Sequence, residues 1–197
     1  MPWNGRWPVP EDPLMLKVIL LSLFALVVVF LGARSCGLTP EQIEDRILLA
    51  EINAEEGRAY RSAYGQRPGV LAFDNGLLVE WLAEGDGPVP DDTSWVQVHY
   101  RGWHIDGREF ENSWRRGEPA TVPVERTIAG WREVLVEVPV GTRLKLVLPP
   151  ELAYGRAGAG RIGPEETLVF ELELLAIVMP DEPIEPEEWE RPVPGLR

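Results

Sequence analysis

Three runs of this chain alternate apolar and polar residues at period two, and they constrain its fold more than any other feature. Val96, Val98 and Tyr100 alternate with Gln97, His99 and Arg101. Leu144, Leu146 and Leu148 are spaced by Lys145 and Val147, and Leu168, Phe170, Leu172 and Leu174 by Val169, Glu171 and Glu173. Successive side chains of a strand point to opposite faces, so each run reads as a strand with one apolar face. Residues 127–135 are long enough for one short helix carrying Trp131. Asn75-Gly76 reads as a type I′ hairpin turn followed by a strand over residues 77–82, and Asp106-Gly107 as a second hairpin turn. Strands with one apolar face need a cover, and the helix supplies it. The pattern predicts an α+β domain, an antiparallel sheet with one short helix on one face.

A length of 197 residues allows one or two domains with a sizeable core, and 45% hydrophobic content fits a folded chain. The formal charge of −13 argues against a nucleic-acid partner, because phosphate binding needs clustered Lys and Arg. Cys36 is the single cysteine, which excludes an intrachain disulfide.

After an N-terminal flank of residues 1–13, residues 14–33 carry one charge, Lys17. Twenty helical residues span about 30 Å, the thickness of a bilayer's hydrocarbon core. Lys17 sits near one end, where it can snorkel, and Trp3 and Trp7 precede it as interfacial residues. The run predicts a transmembrane signal anchor, with residues 14–33 as the membrane partner. A lipoprotein acylated at Cys36 ranks second, since Ala33-Arg34-Ser35-Cys36 looks like a degenerate lipobox that Arg34 spoils. Cleavage and secretion ranks third.

Residues 37–68 read as a helical stalk or linker. Thr39-Pro40-Glu41-Gln42 is a helix start with a capping box, and Ile43, Ile47, Ala50 and Ala54 then form one narrow apolar stripe. Such a stripe covers its own domain or a second copy of itself, and a solvated stalk is the remaining alternative. Residues 180–197 hold five prolines and six acidic residues against two arginines, the composition of a disordered tail.

Within residues 69–179, large side chains recur at strand ends and in glycine-bearing loops: Tyr100, Phe110, Ile128, Trp131, Tyr154 and Phe170. The series Val-Gln-Val-His-Tyr-Arg-Gly, Asp-Gly-Arg-Glu-Phe-Glu, Ile-Ala-Gly-Trp, Ala-Tyr-Gly and Thr-Leu-Val-Phe, in this order, resembles the FKBP family of peptidyl-prolyl cis/trans isomerases. The resemblance covers residues 75–178. It implies a curved antiparallel sheet wrapped over one helix, with an apolar cleft between them. It also implies proline-containing polypeptide clients and a domain outside the cytoplasm, on the periplasmic or cell-surface side. The segment before the domain is similar to the macrophage infectivity potentiator branch, which implies a homodimer through the helix at residues 39–60.

Carried over by position, the resemblance makes Tyr100 and Phe110 walls of the cleft, Trp131 its floor and Phe170 its inner side. It makes Ile128 the backbone donor to a ligand carbonyl and Tyr154 a hydrogen-bonding phenol. Glu111 stands where the family usually has Asp, paired with Arg116, and Val122, Thr127 and Ile162 complete the substrate contacts. The chemistry implied needs no cofactor, metal or nucleophile. Rotation about an X-Pro bond breaks amide resonance across a barrier of roughly 18–20 kcal/mol, and a catalyst must bind the twisted amide better than the planar one. Three departures predict a wider or shallower cleft: Ala120 and Val122 replace family phenylalanines, and Arg161 replaces an apolar residue. They favour the alternative of a non-catalytic proline-chain-binding chaperone or assembly adaptor.

His99 and His104 read as solvated, one on the polar face of its strand and one before a turn. The segment Gly158-Ala159-Gly160-Arg161-Ile162-Gly163 matches a dinucleotide fingerprint in letters only, because Pro164 and a β-patterned run follow it instead of a helix.

Overall fold

The computed structural model describes residues 39–179. The expected anchor at 14–33, Cys36 and the tail at 180–197 lie outside the described residues. Among the described residues, no helix is long and apolar enough to cross a membrane.

Helix α1 runs Pro40–Gly65. Its start is the expected capping box: the Thr39 backbone N–H donates to Gln42 Oε1 at 2.9 Å, and the Gln42 N–H donates to Thr39 Oγ1 at 3.3 Å. The strands follow as β1 (Val70–Ala72), β2 (Leu78–Ala83), β3 (Trp95–His104), β4 (Glu109–Asn112), β5 (Ala120–Pro123), β6 (Arg143–Leu148) and β7 (Leu168–Val178). Between them lie α2 (Ser113–Arg116) and α3 (Ala129–Leu135). The three alternating runs and the helix around Trp131 therefore form where the pattern places them to within a residue or two, except that β3 continues three residues past Arg101 to His104. α2 has a local cause that the pattern reading passed over. Asn112 caps it by accepting from the Arg115 N–H, and Gly117 ends it in the left-handed region.

The sheet is antiparallel in the order β1-β2-β6-β7-β3-β4, with β5 also paired to β3. β4 and β5 share one edge of β3: β5 pairs with Trp95–Val98 and β4 with Arg101–Trp103. The chain between them carries α2, whose Ser113 is buried and hydrogen-bonds the Tyr100 backbone of β3.

Every second residue of β3, from Val96 through Val98, Tyr100 and Gly102 to His104, is buried. This face meets Leu144, Leu146, Leu148, Leu168, Phe170, Leu172 and Leu174 from β6 and β7, and α3 covers it with Trp131, Val134 and Leu135.

The opposite face is also covered. Tyr64 of α1 is 2% exposed and packs with Leu78, Val147 and Val169. Its hydroxyl donates to Glu80, Asn53 Nδ2 donates to the Pro164 carbonyl at 2.8 Å, and Arg61 donates to Thr167 Oγ1. Gly57 allows this approach, since a Cβ there would overlap Thr167. The second half of α1 is therefore docked on its own sheet, along the continuation of the expected stripe: Ala50 and Ala54 are half-buried, and Gly57, Arg61 and Tyr64 follow them at helical spacing. Ile43, Ile47, Leu48, Leu49 and Ile52 of the first half stay exposed.

Two expectations are corrected. The Asn75-Gly76 turn is not type I′, which needs positive φ at both central residues. Here Gly76 alone has it, at 85°, and its N–H donates to the Phe73 carbonyl at 2.9 Å. His104 is not solvated. β3 runs far enough to place it on the buried face at 6% exposure, against the Phe110 ring and 3.1 Å from Glu166.

Candidate active site

β3, β4, β7 and the start of α3 converge on one aromatic group. The Trp131 indole lies 5.0 Å from the Tyr100 ring at 76° and 5.5 Å from the Phe170 ring at 83°. Phe110 meets Phe170 edge-on at 5.7 Å. Edge-to-face contacts set ring planes across one another, so the rings act as walls and floor instead of a flat stack. Gly102 makes the arrangement possible, because a Cβ there would overlap the rings of Phe110 and Phe170. Trp131 Nε1 is buried with no hydrogen-bond partner among the described residues.

The remaining expected residues sit around this centre. Ile128 occupies the N-cap of α3 in an extended conformation, with its carbonyl accepting from Trp131 and Arg132. Ile128, Tyr154, Val122 and Ala120 pack against the core cluster as half-buried residues, and Ile162 is 4% exposed within it. Thr127 uses its hydroxyl locally, donating to the Val124 carbonyl at 2.8 Å.

One ion pair borders the rings. Arg116 of α2 pairs with Glu111 of β4, whose side chain is 8% exposed. Burial first, and then the Glu111 carboxylate, push the Tyr100 phenol up to about 12, with Arg116 opposing. The same two causes raise Tyr154. Both phenols therefore stay protonated and able to donate at any physiological pH.

A concavity of about 310 Å³ adjoins the rings, lined by Glu109, Phe110, Glu111, Asn112, Arg115, Arg116 and Arg161. Glu109 and Arg115, which pair at 2.8 Å, were not singled out from the sequence. The available signal was Asn112-Ser113-Trp114-Arg115-Arg116-Gly117, a cap at each end of a four-residue helix.

A profile described as FKBP-type peptidyl-prolyl cis-trans isomerase matches residues 87–175. The crystal structure of FkpA from Escherichia coli superposes with a TM-score of 0.69 at 34% identity, over 86% of this chain and 83% of that one. The chain belongs to the FKBP-type peptidyl-prolyl cis-trans isomerase family. FkpA of Escherichia coli strain K12 is 43% identical over 128 residues, 65% of this FKBP-type chain and 47% of the relative. An outer membrane protein MIP of Legionella longbeachae is 38% identical over 129 residues, 65% of this chain and 55% of that one. This FKBP-type chain thus spans about half the length of the curated relatives it matches.

Proposed function

We propose that the chain catalyses cis/trans rotation of X-Pro bonds in unfolded or flexible polypeptides. The observation that carries this reading is the set of crossed rings of Tyr100, Phe110, Trp131 and Phe170, at 5.0 to 5.7 Å separations, on one side of the sheet. A pyrrolidine ring enters between them. The planar amide is more dipolar than the twisted one, so a water-poor surround favours the twist. The Ile128 backbone N–H and the Tyr154 hydroxyl hold the bound carbonyls. The unsatisfied Trp131 Nε1 adds a donor whose desolvation, costing about 1–3 kcal/mol while unpaired, a bound acceptor relieves.

The second reading, a proline-chain-binding adaptor that does not catalyse, is favoured by Ala120 and Val122, small side chains packed against the same cluster. NMR exchange of an X-Pro peptide with the full chain separates the two. Acceleration that falls several-fold with Tyr154→Phe supports catalysis, and binding with isomerisation at the spontaneous rate leaves the adaptor.

The setting belongs to the same proposal. Residues 14–33 anchor the chain, with Cys36 acylation as second choice, residues 37–68 link anchor to domain, residues 69–179 act outside the cytoplasm and residues 180–197 trail as a tail. The name of the outer membrane relative supports that side of the membrane. A homodimer through residues 39–60 would cover Ile43, Ile47, Leu48, Leu49 and Ile52, all at least 44% exposed in the single chain. Sedimentation of the full chain in detergent tests it.

A further inference from the structure

The concavity beside the aromatic rings shares Phe110, Glu111 and Arg116 with them and is lined by three guanidinium groups and two carboxylates. Glu109 and Arg115 pair with each other, as do Glu111 and Arg116. Arg161 is exposed and has no ion-pair partner among the described residues. A local surplus of positive charge therefore faces the rim of the candidate cleft, on a chain whose formal charge is −13. The position of Arg161 is fixed on both sides. Ala159 and Ile162 exchange backbone hydrogen bonds of 3.0 and 2.8 Å across it, and the Ile162 side chain is buried in the core.

We propose that Arg161 makes the cleft selective for X-Pro segments with a carboxylate side chain next to the proline, the Glu-Pro and Asp-Pro class. The inference rests on the isomerase reading above and names its substrate class. With a proline between the rings, the flanking residue is one Cα–Cα step of about 3.8 Å away, which carries its side chain into the adjoining concavity. A carboxylate there pairs with Arg161, a neutral side chain leaves the guanidinium unpaired and a lysine is repelled. An exposed ion pair supports a preference of about two- to fivefold, and salt screens it.

The test compares the full chain on two peptides differing only in Glu-Pro against Gln-Pro, read as the ratio of their kcat/KM values. The expected ratio is about two to five at low salt, falling toward one at about 0.5 M salt. Arg161→Lys keeps the preference, and Arg161→Glu reverses it in favour of Lys-Pro. A ratio of one in the unmodified chain, or a ratio that Arg161→Glu does not move, overturns the inference while leaving isomerisation standing. Should neither peptide be accelerated, the isomerase reading fails. The ratio of the two peptides' dissociation constants, by NMR titration, then decides the selectivity on the same terms.

Discussion

The Trp131 indole stands edge-on to the Phe170 ring, 5.5 Å away at 83°, and so joins the covering helix α3 to the central strand β7 within the aromatic group of the candidate cleft. One side chain thus serves core and site together. Trp131→Ala removes both and is expected to cost about 3–5 kcal/mol, because the indole is only 7% exposed. Trp131→Phe should cost under about 2 kcal/mol, since the smaller void is offset by loss of an unsatisfied buried donor. Urea unfolding of both variants checks the order, and equal costs would contradict it.

Gly102 is the point where β3 passes under two rings of the cleft. Gly102→Ala forces Phe110 or Phe170 out of position. The expected result is a loss of roughly 1–3 kcal/mol in stability and at least a tenfold fall in isomerisation. Line-shape exchange on an X-Pro peptide reads the second quantity, and unchanged exchange would separate these rings from the chemistry.

On the other face, Gly57 allows α1 to sit against Thr167. Alanine favours helix by about 1 kcal/mol over glycine, yet here Gly57→Ala should destabilise by about 1–3 kcal/mol. A stabilised variant would mean the helix is not docked on its sheet through this contact.

His104 and Glu166 pair beneath the loop that holds Ile162 in the core. Burial pushes the Glu166 carboxyl up, but hydrogen bonds from His104 and from the Gly163 N–H outweigh it and hold the group below the usual glutamate range. A depressed carboxyl contributes stability that is present above its unfolded pKa, about 4.3, and is lost as pH falls through its own lower value. Glu166→Gln should therefore lower the urea midpoint at pH 5 and above, with the difference from the unmodified chain shrinking below about pH 4. A difference that holds constant through that acid range would place the stabilisation elsewhere.

The buried placement of several site residues was legible because they carry local signals, whereas their grouping in one cleft came from the resemblance of the ordered motifs to the FKBP family. Tyr100 and Phe170 lie on the apolar side of alternating strands, and Trp131 on a segment long enough for a single helix. His104 was misread because a strand's end is set by pairing with its neighbours. β7 pairs with β3 as far as His104, and that keeps the residue on the buried face. The docking of α1 was half legible: Gly57, Arg61 and Tyr64 continue the stripe of Ile43, Ile47, Ala50 and Ala54 at three- and four-residue spacing, but that the stripe meets its own sheet follows from the shape of that sheet.

By itself, the order of residues determined the strands, the covering helix and the cap at Thr39, because alternation, helical length and capping act within a few positions of one another. Only the tertiary structure decided that four rings cross at one place, that Arg161 faces the same rim with no ion-pair partner among the described residues, and that α1 covers the outer face. Those relationships join residues tens of positions apart, and the distance between such residues is set by sheet register and packing, which no local pattern contains.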